Sequence, residues 1–438
     1  MESELLVYTN KITSRNKYIF NFIFKEILGV KILITSDKNA FQIKQGAKIN
    51  YSLHPIEDEL FFASRNILFE TGMFDQQLTV FEHKEIPCFF TVGKKSVLPF
   101  DPFAASFYLV SRYEEYLPHI KDQYFRYTPE QSIAYENGFL DLPVVDHWAL
   151  MIKDIISQRF PEFLFPVRKF KYIPTIDVDN AFAFKNKGLM RTLGGIAKSI
   201  TIFDAKSIIK RLQVVFNLAK DPFDTFTKME EIHKQYKLQA IYFYLFASYA
   251  TNDKNIHIDN KTFQSLIKST ADYFDVGIHP SFASNSNRSI LKKEIKNLSS
   301  VLNIEVNKSR QHFLMLTLPD TYRNLINIDI KDDYTMGYSS CLGFRAGTCT
   351  PFYFYDIDME VQTNLKVHPF QIMDATLKYY NKTDEDDVLS SVSPIIDAVK
   401  AVNGTLVTLW HNESISGISP WVNWENIYDD IIKYIMAE

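Results

Sequence analysis

Residues 171–179 read Lys-Tyr-Ile-Pro-Thr-Ile-Asp-Val-Asp, and this stretch decides the fold of the larger part of the chain. Its first six residues favour a β-strand, because β-branched and aromatic side chains fit a pleated surface. Similar segments recur downstream and alternate with segments of helical spacing, which is typical of a parallel α/β domain. The candidate strands are Lys171–Ile176, Leu238–Phe246, Phe274–Ile278, Ile304–Ser309, Met336–Ser340, Leu365–Ile372 and Thr405–Trp410, and the helical segments between them include Asp224–Tyr236, Asn260–Tyr273 and Ser289–Leu302.

The chain is predicted to form two domains. Its 438 residues exceed one ordinary hydrophobic core, and Pro161–Arg168, with two prolines, marks a boundary. We predict a smaller α/β domain over residues 1–165 and a larger α/β domain over residues 166–438, whose seven strands suit a barrel as well as an open sheet. In the first domain the patterns predict helices at Ile12–Leu28 and Phe103–Tyr116 and strands at Val30–Thr35 and Cys88–Val92, and they favour a solvent-exposed charged face for Ser111–Tyr116.

Composition excludes some classes of function. A net charge of −4 and an isoelectric point near 6.2 argue against a nucleic-acid-binding protein. Cys88, Cys341 and Cys349 are too few and too far apart for a disulfide framework or a zinc–thiolate site. The first residues lack a signal-peptide pattern, and no apolar run approaches the roughly 18 residues that cross a bilayer. We therefore expect a cytoplasmic protein without a transmembrane segment; its oligomeric state stays open.

Polar residues follow several of the candidate strands. In parallel α/β folds the catalytic groups gather at the carboxyl ends of the strands. Each residue alone is more typical of a turn, a helix cap or a structural ion pair, and only their coincidence on one face points to a site. The residues at these ends are Asp177, Asp179, His279, Arg310, His312, Arg345, His411 and Glu413.

This set of residue types permits metal-assisted hydrolysis. Asp179 and His279 offer an oxygen and a nitrogen ligand for a divalent metal such as zinc. Asp177 lies two residues before Asp179 and so faces the same side of the strand, where it could take a proton from water. An arginine beside Asp177 would keep it ionised, and His411 could protonate a departing amine.

The same residues resemble the motifs of the polysaccharide deacetylases of the NodB-homology type, carbohydrate esterase family 4. Thr175–Asp179 resembles the opening Thr-Phe-Asp-Asp motif with one residue inserted, and His279–Ser281 resembles the histidine motif. Arg310–Phe313 resembles the arginine motif, and Leu409–His411 resembles the closing Leu-x-His motif. The resemblance implies an irregular (β/α)7 barrel with a metal ion. It also implies roles by position: Asp177 as general base, Arg310 as its partner, Asp179 and His279 as ligands and His411 as general acid.

A divergent branch of that family, with an uncharacterised N-terminal domain, resembles most of the chain. The similar phrases are Ser111–Pro118, Ser309–Leu314, Gly343–Thr348 and Trp410–Asn412. One departure is that Ala283 and Ser284 stand where the family has a second histidine ligand. His312 is our substitute for it, the alternative being that His312 polarises the substrate carbonyl. Arg345, Thr348 and Trp410 are assigned to substrate binding, the first two to an anionic group.

Three hypotheses follow. The first is a metal-dependent hydrolase that removes an N-acetyl or O-acetyl group from a sugar or glycan precursor. The second is a catalytically inactive glycan-binding or assembly protein on the same fold, which the missing histidine favours. The third is a glycosidase that uses Asp177 and Glu413 as paired carboxylates.

Overall fold

Two mainly parallel β-sheets organise the chain, whose computed structural model describes residues 4–201 and 205–437. The strands are β1 (Glu4–Thr9), β2 (Lys31–Thr35), β3 (Lys48–Ser52), β4 (Leu60–Ala63), β5 (Phe81–His83), β6 (Ile86–Cys88), β7 (Lys171–Val178), β8 (Ile241–Leu245), β9 (Asp275–His279), β10 (Lys308–Ser309), β11 (Asp332–Asp333), β12 (Phe352–Asp356), β13 (Val361–Val367), β14 (Ile372–Met373) and β15 (Thr405–His411). The protein is therefore a mixed α/β fold, as predicted.

Helices connect most of the strands. The α-helices are α1 (Ser14–Phe20), α2 (Lys38–Ile43), α3 (Pro102–Val110), α4 (Ile133–Glu136), α5 (Val144–Arg159), α6 (Leu189–Thr201), α7 (Ala205–Val215), α8 (Phe226–Gln235), α9 (Lys261–Ala271), α10 (Arg288–Leu302), α11 (Asp320–Ile326), α12 (Val388–Ala401) and α13 (Trp424–Met436). Two π-helices (Asn21–Ile27, Thr376–Tyr380) and several 3-10 turns (Asn66–Leu68, Tyr113–Tyr116, Pro129–Gln131, Phe282–Ser286, His312–Leu314, Glu385–Asp387, Asn412–Ile415) complete them. Across the described ranges, no helix is both long and apolar enough to cross a bilayer.

The smaller sheet has the order β2-β1-β3-β4, and its paired strands are parallel. The predicted helix Ile12–Leu28 forms as α1 followed directly by a π-helix. Thr13 caps its start in a capping box with Asn16, which satisfies two backbone N–H groups that would otherwise lack partners. Ile19, Phe20 and Ile23 then point into the core, as their helical spacing predicts.

The larger sheet has the order β12-β13-β11-β10-β9-β8-β7-β15-β14. Three predicted strands differ from it. Of the predicted strand Ile304–Ser309, only Lys308–Ser309 forms, as β10. The prediction of a strand at Met336–Ser340 was wrong: Asp333 accepts hydrogen bonds from the backbone and hydroxyl of Thr335, and this local turn ends the strand at β11. The predicted strand Leu365–Ile372 is divided into β13 and β14 around Pro369, which has no backbone N–H to donate.

The strand order is that of an open sheet, with β12 and β14 at its edges. The residues between β13 and β14 nevertheless bond to both neighbours: Phe370 donates its backbone N–H to the carbonyl of Met336, and Gln371 to that of Val407, each at 3.0 Å.

The predicted domain boundary lies between α5 and β7, and the division at residue 165 stays a prediction. One hydrophobic core contains residues from both sides of it, among them Phe107 and Tyr355.

The prediction of an exposed charged face at Ser111–Tyr116 was wrong. Arg112 and Glu115 are buried, and Arg345 from the second half of the chain donates two hydrogen bonds to the Glu115 carboxylate, at 2.9 and 2.7 Å. Arg112 donates a third, at 2.8 Å. Burial alone would raise the pKa of Glu115, but the Arg345 and Arg112 guanidinium groups lower it to about 2. A buried ion network therefore joins the two halves of the chain.

This network makes a prediction about stability. Glu115→Gln removes the anion and leaves the buried guanidinium of Arg345 without a carboxylate partner, while Arg112 keeps only Glu114. We therefore expect a loss of about 3–5 kcal/mol and a lower midpoint of thermal unfolding. The exposed substitution Glu305→Gln is the matched control and should leave the midpoint nearly unchanged. Equal midpoints for the two variants would show that the network does not hold the halves together.

Candidate active site

The register of four parallel strands brings the predicted site residues to one edge. At the end of β7, Asp177 is paired with His411 of β15 on one side and Phe243 of β8 on the other. At the end of β8, Leu245 is paired with His279 of β9. Because parallel strands end at the same edge, the acid and both imidazoles reach one space.

A cavity of about 450 Å³ opens at this edge. Its lining combines carboxylates, imidazoles, amides and aromatic rings, drawn mainly from the loops after the strands. Among the lining residues are Asp177, Asp179, His279, His312, His411, Glu413, Asn180, Phe313, Tyr379, Trp421 and, from the N-terminal half of the chain, Arg126. Five of the nine predicted site residues thus line the cavity. A sixth, Arg310, lies directly behind Asp177 and is bound to it.

Asp179, His279 and His312 form a cluster that could hold a metal ion. One ligand atom from each lies within 4.8 Å of the others. The Nε2 atom of His279 is 3.2 Å from Oδ1 of Asp179, and the Nε2 atom of His312 is 3.6 Å from Oδ2. Oδ1 of Asp179 is buried and receives no hydrogen bond of good geometry. An unsatisfied buried carboxylate oxygen facing two imidazoles fits a cation.

Both imidazoles are held in the orientation that a ligand needs. Nδ1 of His279 lies 2.6 Å from the carbonyl oxygen of Arg310, and Nδ1 of His312 lies 2.9 Å from Oδ1 of Asp253. These acceptors keep a proton on Nδ1 and direct Nε2 at Asp179, so that Nε2 can act as a ligand once it carries no proton. Asp253 is itself buried and accepts the backbone N–H of Phe282, which fixes its position.

The electrostatics of the cluster favour a positive charge between its members. Burial raises the pKa of Asp179, but the two histidines outweigh this and hold it well below its usual range. Burial lowers the pKa of His312, whereas the carboxylates of Asp179 and Asp253 raise it to about 9. A proton and a metal ion would therefore compete for this cluster, and binding of an ion would release a proton.

Asp177 is held by a buried arginine. Nη1 of Arg310 donates to Oδ1 of Asp177 at 2.8 Å, and Nε donates to the carbonyl of Tyr334 at 3.0 Å. The guanidinium lies over the rings of Phe243 and Phe370, so it cannot turn toward water. The second oxygen of Asp177 is 3.8 Å from Nε2 of His279. That oxygen faces the cavity and can accept a proton there.

His411 lies on the other side of the cavity and is held by Asp374. Its Nδ1 is 2.8 Å from Oδ1 of Asp374, and its backbone N–H donates to Oδ2 at 2.7 Å. Burial lowers the pKa of His411, but the Asp374 carboxylate outweighs it and raises the pKa to about 10. His411 is therefore protonated at neutral pH and can donate a proton from Nε2.

Three residues assigned to substrate binding lie elsewhere, and we correct that prediction. Arg345 is bound to Glu115 and to the carbonyl of Gly337, so its donors are already used. Thr348 is fully buried and donates to Asp146. Trp410 is also fully buried, with its ring against Trp424. In strand β15 the side chains alternate, so Trp410 faces the helices while His411 faces the cavity.

Two functional residues were missed in the sequence. Asp374 directly follows β14, so the rule about the carboxyl ends of strands would have found it if it had been applied to that strand. Asp253 lies in the long connection between β8 and α9, eight residues beyond the end of the strand. Nothing in its local sequence distinguishes it from an ordinary loop acid.

Comparisons with known proteins place the chain only coarsely. Residues 5–161 match the model of a family of unknown function, DUF7033. The chain matches none of the curated proteins. It is similar to a candidate polysaccharide deacetylase from Mycobacterium smegmatis (12% identity, 63% of this chain and 86% of that one, TM-score 0.41). It is also similar to Puue allantoinase (10% identity, 61% of this chain and 83% of that one, TM-score 0.38). A third similar structure is a CE4-family pseudoenzyme from Bacillus anthracis (12% identity, 63% of this chain and 66% of that one, TM-score 0.29).

These TM-scores are all below 0.5, so the likenesses carry no argument about activity. The function has to be inferred from the arrangement of the side chains in the cavity.

The pairing of His411 with Asp374 predicts a pH dependence. Because the folded-state pKa is raised, the stability that this pair contributes is fully present below about pH 6.5, the usual pKa of histidine, and is lost as the pH rises through about 10. Asp374→Asn should move the titration of His411 to a much lower pH, as followed by NMR of histidine-labelled protein with His411→Gln for assignment. Asp259→Asn, at an exposed site, is the control and should not move it.

Proposed function

We propose that the protein is a metal-dependent hydrolase that removes an acetyl group from a sugar. The observation that carries the proposal is the cluster of Asp179, His279 and His312 beside an arginine-bound Asp177. A possible metal site, a base and an acid thus surround one cavity. The resemblance of the sequence motifs to the NodB-homology deacetylases supports the same reaction.

Zinc is the ion that we propose for the cluster. Two imidazole nitrogens and one carboxylate oxygen are a ligand set of catalytic zinc sites, in which a further position stays open. When bound, such an ion would polarise the acetyl carbonyl and make water a stronger acid. His312 would take the place of the second histidine that the family has at Ala283 or Ser284. Its partner Asp253 supports this role, because ligand histidines commonly bond to a carboxylate through their other nitrogen.

The remaining roles follow from the hydrogen bonds. Asp177, oriented by Arg310, accepts a proton from the attacking water. His411, kept protonated by Asp374, donates a proton to the leaving amine or alcohol of the sugar. This hydrolysis requires one acid and one base in the same site. Their different partners, Arg310 for Asp177 and Asp374 for His411, suit the two groups to these opposite roles.

A sugar is the substrate class that suits the lining of the cavity. Phe313, Tyr379 and Trp421 offer flat apolar faces, while Asn180 and Asn252 offer amides that can bind hydroxyl groups. The volume of about 450 Å³ lies within the usual range for small-molecule sites and leaves room for a few sugar units at most. The N-terminal half contributes Arg126 to the wall, which gives this half of the chain a place in recognition.

We further propose that the larger sheet closes into a seven-stranded (β/α) barrel of the deacetylase type. The bonds of Phe370 to Met336 and of Gln371 to Val407 support this closure, since they connect the two ends of the ring through the segment between β13 and β14. The sheet would then consist of β7, β8, β9, β10, β11, the β13–β14 segment and β15.

Metal binding is the first test. We expect one zinc ion per chain after dialysis, and His312→Gln should abolish tight binding because it removes one of three protein ligands. Asp253→Asn should weaken binding by about 10–100-fold, as loss of a carboxylate partner of a ligand histidine typically does. His257→Gln, on the exposed surface, is the matched control. A wild-type protein that retains no zinc would favour an inactive glycan-binding protein instead.

The second test is hydrolysis. Release of acetate from N-acetylated oligosaccharides and O-acetylated sugars should fall by about 10²–10⁴-fold in Asp177→Asn, because general-base catalysis typically contributes that much. Zinc content, measured in the same preparation, should stay unchanged. Asp329→Asn, at a solvent-exposed position, is the control for a lost surface carboxylate. An Asp177→Asn variant that keeps zinc and full activity would contradict the role of Asp177.

A further inference from the structure

The segment between β7 and α8 forms a pair of helices, α6 and α7, whose apolar side chains face outward. In α6, Leu189, Leu193 and Ile200 recur at the spacing of one helix face, yet they are 73%, 53% and 59% exposed. Ile209 in α7 and Phe216, which directly follows the end of α7, are seven residues apart and are 57% and 68% exposed. In a globular protein a face of this kind is normally buried.

The inward contacts of this helical pair (α6 and α7) involve a glycine, an arginine and a single buried valine. The two helices pack at Gly195, where an added Cβ would lie 2.5 Å from the guanidinium of Arg211. Arg211 in turn lies over the ring of Phe184, 4.6 Å from its centroid. Val214 is the buried apolar residue of α7. The apolar faces are therefore left to solvent by the way in which the pair packs.

The charge of the segment differs from that of the rest of the chain. Residues 185–220 contain eight lysines and arginines and a single acidic residue, Asp204, in a chain whose net charge is −4. Lys210, which directly follows Ile209 in the sequence, and Lys220, four residues after Phe216, are both exposed. Basic residues that flank an exposed apolar helix face are the pattern of helices that lie in the surface of an anionic membrane.

The base of the helical pair is fixed to the rim of the cavity. Asp221 accepts the backbone N–H groups of Ala183, Phe184 and Lys185, which ties the chain entering the pair to the chain leaving it. Arg191 donates to the carbonyl oxygens of Lys254 and Asn255 at 2.6 and 2.9 Å, and Lys254 lines the cavity. Whatever the pair binds is consequently held beside the cavity.

We propose that the helical pair is a docking surface for an anionic lipid bilayer. The apolar side chains of α6 and α7 enter the boundary between headgroups and acyl chains, while the lysines beside them contact the anionic headgroups. This proposal does not depend on the hydrolase reaction, because it rests only on exposed apolar area and charge.

The test is co-sedimentation of the full chain with lipid vesicles. We expect binding to vesicles of phosphatidylglycerol mixed with phosphatidylcholine, at least about tenfold weaker binding to phosphatidylcholine alone, and weakening by salt. Leu193→Ser combined with Phe216→Ser should lower the affinity by about tenfold or more, because it removes two of the inserting side chains. Lys210→Gln combined with Lys220→Gln should remove most of the preference for the anionic lipid.

Matched controls separate this surface from general stickiness. Leu164→Ser with Val167→Ser removes apolar side chains that are 72% and 85% exposed elsewhere, and Lys94→Gln with Lys95→Gln removes two exposed charges elsewhere. Neither control should change vesicle binding. The proposal is overturned if wild-type protein does not bind the anionic vesicles, or if the helical-pair variants bind as wild type does. It is also overturned if wild-type protein is a dimer that Leu193→Ser with Phe216→Ser converts to monomers without any loss of lipid binding, because a second copy then covers this face.

Discussion

The parallel register of β15, β7 and β8 is the constraint on which the candidate site depends. It places Asp177 opposite His411 and Phe243, so that the last residues of neighbouring strands share one edge. A shift of one residue would turn Asp177 to the helix-covered face and bring a buried apolar neighbour to the cavity. The apolar residues Ile176 and Val178 prevent that shift, since both are fully buried on the opposite face. The chemistry of the site thus follows from how the hydrophobic side chains of β7 are packed.

Two clusters of buried charge show how a structural network differs from a candidate site. Around Glu115 every carboxylate oxygen receives a guanidinium donor, and the network is closed. Around Asp179 the Nε2 atoms of His279 and His312 face the two carboxylate oxygens, and Oδ1 lacks a hydrogen bond. Burial of an ion is costly unless it is compensated, so the second arrangement could hold a cation, whereas the first is already compensated. Arg345 belongs to the first cluster, where it bonds to Glu115. Arg310 lies beside the second cluster, where it bonds to Asp177.

Sequence patterns could predict the strands and most of the site because both depend on local order. The β-branched and aromatic residues of Lys171–Ile176 and the polar residues after each strand sufficed to place Asp177, Asp179, His279 and His411 together. Asp374 was within reach of the same rule. Burial of charged residues was not, because Ser111–Tyr116 has the composition of a surface helix and only its distant partner Arg345 makes burial possible. Asp253 could not be found either, since its role depends on where a long loop returns.

The helical pair shows the converse failure of a sequence pattern. Apolar residues at helical spacing predict a face turned toward the core, and α6 and α7 have this spacing. The structure turns these faces outward because Gly195, Arg211 and Val214 make the inward contacts. An amphipathic pattern specifies that a helix has an apolar and a polar face. Whether the apolar face contacts the protein core, another molecule or a membrane is decided by packing and charge. The surplus of lysines and arginines in the segment, of which Lys210 and Lys220 are exposed, is the feature that favours an anionic membrane over a protein core as that medium. Since Arg191 bonds the pair to the cavity rim, a membrane bound there would lie next to the candidate site.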